Sequence, residues 1–376
     1  MKILCSSDWH LGKKLENKSR IEEQEKVLCE ILSVLDREAP DVFIVAGDIY
    51  DTAVPTARAE ELFYDFASRA GEKTLFAVIA GNHDDALRLS VASPLAKRHN
   101  ILLFGESYMS VDAENLSANN SGFSFVKDDE KLNVAVLPYP SERMLGLMYG
   151  DSYEEKVAQK IQEISIRFEE NATNIFVSHL FMSGAESAKS DERELGSAKL
   201  LSKSILPDCD FTLLGHVHKP MVVSQSKNAH YSGSLMPYSF DDTTDKRLMM
   251  FDTATKTLKD IPITGYKKCV RVFADTYENA MQALDDANDW IELHYTGEPL
   301  TMSQIASIRR HGSCVKIVVE NKAVLVKEDR KALSGRELFT EFYKKQKKAD
   351  APDRLVNAFA DYLAKAEEDN HETDKA

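Results

Sequence analysis

The sequence predicts a layered, mainly parallel α/β fold, followed by a small second α/β domain and a helical tail. Three observations lead there. Short apolar runs at 2–6, 42–46 and 74–80 alternate with stretches of helical periodicity at 21–37 and 57–70. Each run ends in a turn that carries a carboxylate, an amide or an imidazole. Near Gly265 the pattern restarts as β-α-β-α-β, and beyond residue 333 it becomes amphipathic helix.

In chain order, 2–6 reads as a first strand that delivers Asp8-Trp9-His10. On extended chain, residues i and i+2 point the same way, so Asp8 and His10 face one ion while Trp9 turns into packing. Taken alone, this spacing equally fits a strand-end Asp beside a surface His. The polar loop 11–20 sets Lys13, Lys14, Lys18 and Arg20 against one acid, Glu16. It reads either as a solvated loop or as a phosphate-backbone contact, which would make these four residues DNA-binding. Ile21, Val27, Leu28, Ile31, Leu32 and Leu35 give a crossover helix. Val42 to Ala46 forms a buried strand, Gly47 breaks it, and Asp48 follows at its carboxyl end, where open α/β sheets build ligand sites. Leu62, Phe63, Phe66 and Ala70 mark one face of the next helix. The strand 74–80 ends in Gly81-Asn82-His83-Asp84-Asp85. A Gly-Asn pair by itself is a turn signal, but this one stands at a strand end, as Asp8 and Asp48 do.

Residues 104–131, rich in small polar side chains, read as an irregular excursion. A strand at 134–137, a Pro-Tyr-Pro turn and a helix at 152–168 follow. The strand 174–178 delivers His179, and a charged stretch at 186–196 reads as a loop near the site. The strand 211–214 leads into Gly215-His216-Val217-His218, a second i, i+2 pair. Both rings, if buried without a metal, would need other hydrogen-bond partners. Strands near 248–252 and 258–261 finish this region. His99, His294 and His311 have no companions and read as structural or exposed.

The second domain is expected as strands at 269–273, 290–295 and 315–319 separated by helices at 278–286 and 302–310. Residues 322–333 form a charged linker, and Ser334-Gly335-Arg336-Glu337 matches a capping box. One helix then aligns Leu338, Phe339, Phe342 and Tyr343, and the next aligns Leu355, Phe359 and Leu363. Residues 367–376 read as a disordered tail.

The 376 residues allow two domains and a tail, and 43% hydrophobic with 29% charged residues is ordinary for a globular protein. A net charge of −14 argues against holding nucleic acid by overall charge, but permits a local basic surface or bound cations that invert the field. Cys5, Cys29, Cys209, Cys269 and Cys314 are scattered and show no C-x-x-C spacing, which argues against a disulfide framework or zinc module. No signal-peptide core and no membrane-length apolar run is present, so a cytoplasmic location is expected.

Together the strand ends supply Asp8, His10, Asp48, Asn82, His83, His179, His216 and His218. Mixed carboxylate, amide and imidazole donors suit Mn²⁺, Fe²⁺ or Zn²⁺ better than Mg²⁺ or Ca²⁺. The set is too large for one open site and fits two ions sharing a bridging carboxylate. Two ions about 3.5–4 Å apart clamp the attacking and leaving oxygens of a displacement at phosphorus.

The ordered set D-x-H, G-D-x-x-D, G-N-H-D, a single His after a strand, and G-H-x-H resembles the calcineurin-like metallophosphoesterases. Ser-Asp-Trp-His-Leu-Gly at 7–12, Val-Ala-Gly-Asp-Ile-Tyr-Asp-Thr at 45–52 and Ala-Gly-Asn-His-Asp at 80–84 narrow the resemblance. They are similar to the nuclease subunits of bacterial ATP-dependent complexes that process DNA ends. The resemblance covers the whole chain and implies a layered β-sandwich flanked by helices. It implies a nuclease domain at 1–265, a capping domain at 266–321, a linker at 322–333, C-terminal docking helices at 334–366 and a tail at 367–376. It also implies that Asp8, His10, Asp48 and His218 hold one ion, with Asp48 bridging, while Asn82, His179 and His216 complete the second. His83 would sit over the scissile phosphate as a catalytic group, and Asp51 would orient it. Two Mn²⁺ ions are the implied cofactors. The implied activities are 3′-to-5′ exonuclease on duplex ends and endonuclease on hairpins and single strands, in DNA repair, replication and recombination. The implied partner is an ABC-type ATPase with a long coiled coil, bound to a homodimer formed through helices near 56–70 and 86–98. Two alternatives compete with this reading. A small-molecule phosphoesterase of the same fold would need neither capping domain nor amphipathic tail. An inactive scaffold would not need a complete ligand set.

Overall fold

Buried runs of β-branched and aromatic residues form the strands, and amphipathic crossovers form the helices that cover them. The computed structural model describes residues 1–185, 199–319, 339–340, 342–344, 347–360 and 362. The expected loop 186–196, linker 322–333, capping box 334–337 and tail 367–376 lie outside the described residues, as do Leu338 and Leu363. In order come β1 (Lys2–Ser6), α1 (Ile21–Glu38), β2 (Val42–Ala46), α2 (Ala57–Gly71) and β3 (Leu75–Ile79). Next are α3 (Ala86–Ser90), α4 (Ser93–Ala96), β4 (Ile101–Phe104), β5 (Ser110–Asp112), β6 (Leu116–Asn119), β7 (Gly122–Lys127) and β8 (Glu130–Leu137). Then follow α5 (Tyr153–Ser165), β9 (Thr173–His179), β10 (Phe211–Gly215), β11 (Met221–Ser224), β12 (Ala229–Tyr231), β13 (Arg247–Asp252) and β14 (Thr257–Pro262). The last are β15 (Cys269–Ala274), α6 (Tyr277–Asp285), β16 (Trp290–Tyr295), α7 (Met302–Arg310) and β17 (Cys314–Val319).

The first sheet runs β14-β13-β1-β2-β3-β4, with β1 to β4 parallel. The second runs β11-β12-β10-β9-β8-β7-β6-β5, with β8, β9, β10 and β12 parallel. Alternation along each strand decides which way side chains pack. Leu4, Phe43, Val45, Phe76 and Val78 face Val27 and Ile31 of α1 and Phe63 and Phe66 of α2. Their neighbours Ile3, Cys5, Val42, Ile44 and Ile79 meet Phe123, Val134, Val177 and Leu213 of the second sheet. Ala135, Phe176 and Leu214, on the far face of that sheet, pack with Val157, Ile161 and Ile164 of α5. The result is helix–sheet–sheet–helix: the layered α/β fold the alternation predicts, in the flanked-sandwich form the resemblance implies. Both parallel sets end at one edge, so Asp8, Asp48, Asn82, His179 and His216 follow strand ends there.

The expected irregular excursion at 104–131 is corrected: it contains β5, β6 and β7, an antiparallel meander joined to β8. Its Ser and Asn residues lower strand propensity, but Met109, Ala118 and Phe123 reach the core between the sheets. The helix expected near 86–98 is two short helices and a 3-10 turn, with Pro94 opening the second. The polar loop 11–20 folds into a small ribbon pairing Lys14–Leu15 with Lys18–Ser19, with Leu15 buried.

β15, β16 and β17 form a separate parallel sheet around Ala280, Leu284, Leu293 and Ile308. Leu15, Phe240 and Cys269, packed with Trp290, seat it on the main body. Residues Met1–Val319 cluster as one unit and Glu320–Ala376 as a second. Within that second unit Phe339 and Phe359 stack at 4.3 Å, Val356 is buried, and Phe342, Leu355 and Tyr362 are exposed. Among the described residues no helix is long and apolar enough to cross a membrane.

Candidate metal centre

The loops after β1 and β2 are bonded to each other. The Asp8 amide donates to the Gly47 carbonyl at 3.0 Å, His10 to Asp48 at 2.9 Å and Leu11 to Ile49 at 2.8 Å. In this coil Asp8, His10 and Asp48 take left-handed backbone, with φ of 53°, 45° and 52°, and His216 has φ of 104°. The extended i, i+2 geometry expected for Asp8/His10 and His216/His218 is therefore corrected. Left-handed residues with side chains cost of order 1–3 kcal/mol each and concentrate at functional sites. Close approach makes glycine necessary at Gly81, where a Cβ would lie 2.1 Å from Asp48 Oδ1. Gly81→Ala is accordingly expected to displace Asp48 and lower divalent-metal affinity at least tenfold; calorimetric titration with Mn²⁺ measures it, and wild-type affinity would contradict the crowding argument.

The expected ligands converge. His10 Nε2 and His218 Nε2 face each other at 3.0 Å. Asn82 Oδ1 lies 2.9 Å from His179 Nε2 and 2.8 Å from His216 Nδ1. Asp48 Oδ2 stands 3.6 Å from His10 Nε2 and 3.2 Å from His179 Nε2. Among the described residues three groups can present one ligand atom each within 4.8 Å of one another: Asp8, His10 and His218; Asp48, His179 and His216; and His10, Asp48 and His83. The His179 Nδ1 lies 2.8 Å from the Ala46 carbonyl, which fixes a proton there and turns Nε2 toward Asn82 and Asp48, where it could serve a metal. Among the described residues His10 Nδ1 and His216 Nε2, on the far side of each ring from the cluster, have no hydrogen-bond partner, and the Asp51 carboxylate stands 3.8 Å from His10 Nδ1. Facing lone pairs, His10 Nε2 against His218 Nε2 and Asn82 Oδ1 between His179 Nε2 and His216 Nδ1, are what divalent cations satisfy, so the residues fit a divalent-metal centre.

Burial and charge oppose each other here. Burial works against the Asp48 carboxylate, but His179, His10 and His83 outweigh it and hold Asp48 well below the usual carboxylate range. Asp8 is pushed up by burial, against the pull of His179 and His218. Burial lowers His10 well below the ordinary imidazole value and takes His216 down to about 3. His179 resists burial because Asp48 faces it, and it rises to about 9.

His83 is half-buried, and its Nδ1 donates to the backbone carbonyl of Asp51 at 2.8 Å. Asp51 thus meets His83 through its carbonyl, whereas its carboxylate takes Lys13 Nζ at 3.0 Å. Lys14 is exposed and Lys18 half-buried. Arg20 does not fit a DNA contact: it is 1% exposed, bonded to Glu23 at 2.7 and 2.9 Å and to the Pro237 carbonyl. His99 is exposed, His294 pairs with Glu292, and His311 with Asp285.

Three supporting residues went unread in the sequence. Asp84 accepts from the amides of Ile49, Tyr50 and Gly81 at 2.9–3.1 Å, knitting the second and third loops together. Its place in a run of Gly, Asn, His and two acids was the available signal. Gln24 donates to the His10 carbonyl at 2.8 Å. Tyr238 packs its ring 5.4 Å from His10 and bonds its hydroxyl to the Trp9 carbonyl. Nothing in the local sequence ties either residue to the site.

Residues 1–220 match the family model described as "Calcineurin-like phosphoesterase". The chain is 31% identical over 398 aligned residues to the D-type subunit of the SbcCD nuclease of Bacillus subtilis (strain 168), covering 98% of this chain and 100% of that protein. Among solved structures, TT1561 of Thermus thermophilus aligns with 70% of this chain and 99% of its own, at 12% identity and a TM-score of 0.40, too slight a likeness to bear on function. The carboxylate–imidazole edge, the family match and the full-length relative agree, and the chain belongs to the calcineurin-like phosphoesterase family.

Proposed function

We propose that the chain is a Mn²⁺-dependent DNA nuclease, the D-type subunit of an SbcCD-like complex. It would act as a 3′-to-5′ double-strand exonuclease and as a hairpin and single-strand endonuclease, in cytoplasmic DNA repair, replication and recombination. The observation that carries this reading is the place of Asp48, with one carboxylate oxygen between His10 and His179. The name of the full-length relative supports the nuclease assignment, and the mixed nitrogen and oxygen donors support Mn²⁺.

Asp8, His10 and His218 would hold one ion, Asn82, His179 and His216 the other, and Asp48 both. Bound there, the two ions would clamp the attacking and leaving oxygens of the scissile phosphodiester. The protein's own part is placement and proton handling. The Asp51 carbonyl holds the His83 Nδ1–H, and a second proton on Nε2 would let the imidazolium stabilise the phosphate and pass that proton to the leaving 3′ oxygen.

A cleft of about 550 Å³ lined by Lys13, Lys14, Asp51, Thr52, Thr56 and Tyr238 adjoins the centre and supports a DNA path there. Lys13 is bonded to the Asp51 carboxylate and Lys18 to the His311 carbonyl, so exposed Lys14 is the first phosphate contact to test in this reading. Lys14→Glu is expected to weaken duplex affinity and reduce the slope of log K against log salt by about one or more. Fluorescence anisotropy across a salt series measures this, and an unchanged slope would take Lys14 out of the interface.

Residues 266–321 would act as the capping domain, 322–333 as the linker and 334–366 as the segment that docks on an ABC-type ATPase with a long coiled coil. Exposed Phe342, Leu355 and Tyr362 support a docking role. Exposed Tyr64, Leu87, Val91 and Leu95 on α2, α3 and their surroundings support a homodimer face. Incubating an end-labelled hairpin duplex with Mn²⁺, the protein, its ATPase and ATP tests the function. Cleavage is expected, whereas turnover of nucleotide monophosphates without DNA cleavage would favour a small-molecule phosphoesterase.

A further inference from the structure

We infer that Glu23 and Gln24, neighbours in the first turn of α1, are positioning residues that register the small three-stranded sheet against the metal ligand His10. Gln24 is buried and grips the metal-ligand loop at two points. Its Nε2 donates to the His10 carbonyl at 2.8 Å, and its Oε1 accepts from the Gly12 amide at 2.9 Å. His10 itself sits at φ 45°, a conformation that persists only when its surroundings over-determine it.

Glu23 reaches the other way. Its carboxylate accepts from Trp290 Nε1 of β16 at 3.0 Å and from the Lys267 amide just before β15. Arg20 holds the same carboxylate through Nε and Nη2 and also bonds the Pro237 carbonyl. The next residue, Tyr238, packs 5.4 Å from the His10 ring and 5.9 Å from the His218 ring. The small sheet thus meets the ligand loops by two routes, through Gln24 and through Tyr238, and both start at Glu23. An acid in a first helical turn needs only the helix dipole. It does not need a buried arginine, an indole N–H and a distant backbone amide, so the arrangement exceeds what helix stability requires. Adjacent residues of one helical turn move together, so a shift of the small sheet is felt at the His10 carbonyl.

The test titrates the full-length chain with Mn²⁺ by calorimetry and records the Mn²⁺ electron paramagnetic resonance spectrum. Trp290→Phe keeps an aromatic ring against Leu15, Phe240, Cys269 and the Lys267 ammonium and removes the N–H that bonds Glu23. Gln24→Met keeps length and burial but releases His10. Glu23→Gln leaves Arg20 beside a neutral amide and risks misfolding, so the first two variants carry the test. Gln24→Met is expected to weaken one of the two Mn²⁺ affinities about tenfold or more, the scale of losing an outer-shell partner. Trp290→Phe is expected to weaken the same affinity about threefold, and excess Mn²⁺ should return phosphodiesterase turnover of both to within about twofold of wild type. Wild-type Mn²⁺ affinity in both variants overturns the inference, as does a turnover loss that excess Mn²⁺ leaves in place. The inference rests on the metal-centre reading. A wild type that binds no Mn²⁺ sinks that reading, whereas a wild type and variants that bind two ions alike sink the coupling alone.

Discussion

Asp48→Asn is expected to abolish Mn²⁺-dependent phosphodiester cleavage, with turnover falling at least about 10³-fold, the scale on which loss of a central electrostatic group acts. The substitution keeps the shape and removes the charge. Asp48 Oδ1 accepts the His83 amide at 2.9 Å, and Oδ2 lies between His10 and His179. An amide would keep the first contact but could offer only a neutral oxygen or an N–H₂ group to the second. On the proposed reading the centre would lose the anion that stands between its two ligand groups, in a buried site where each charge counts most. Titration should show one Mn²⁺ step lost or weakened at least tenfold. Full turnover with two ions retained would mean that Asp48 does not bridge.

His83→Ala should behave differently. Turnover is expected to fall roughly 10²–10³-fold, the range for removing a general acid or oxyanion donor, with both Mn²⁺ steps unchanged. The His83 amide donates to Asp48, a contact that truncation of the ring spares, and its Nδ1 is taken by the Asp51 carbonyl; the ring still stands within 4.8 Å of His10 and Asp48 ligand atoms, so metal content decides its role. A loss of metal in this variant would make His83 a ligand instead. Asp51→Asn is expected to cost no more than about tenfold, because the Asp51 carbonyl, rather than its carboxylate, holds the His83 ring. Single-turnover rates on a labelled hairpin, with metal content measured alongside, separate the three variants.

Much of this centre was legible because parallel strands end at one edge, and a short apolar run followed by a polar turn marks each end. Asp8, Asp48, Asn82, His179 and His216 could be gathered on that ground alone. Their backbone could not. Asp8 and His10 read as extended because nothing in a D-x-H string reveals that their amides bond the Gly47 and Asp48 carbonyls. Burial of Arg20 was equally hidden. Glu23 stands three residues on, a legible pairing, but Pro237 and Trp290 come from remote parts of the chain. Residues 104–131 failed for another reason. Their strands are short and separated by polar turns, and only the partner strand β8 shows which of Val111, Ala118, Phe123 and Phe125 faces the core.

The most direct test of the account is the anomalous scattering from crystals grown with Mn²⁺. Two ions about 3.5–4 Å apart are expected, one against Asp8, His10 and His218, the other against Asn82, His179 and His216, with Asp48 touching both. A single ion, or two ions that Asp48 does not share, would contradict the bridged centre on which the proposed chemistry stands.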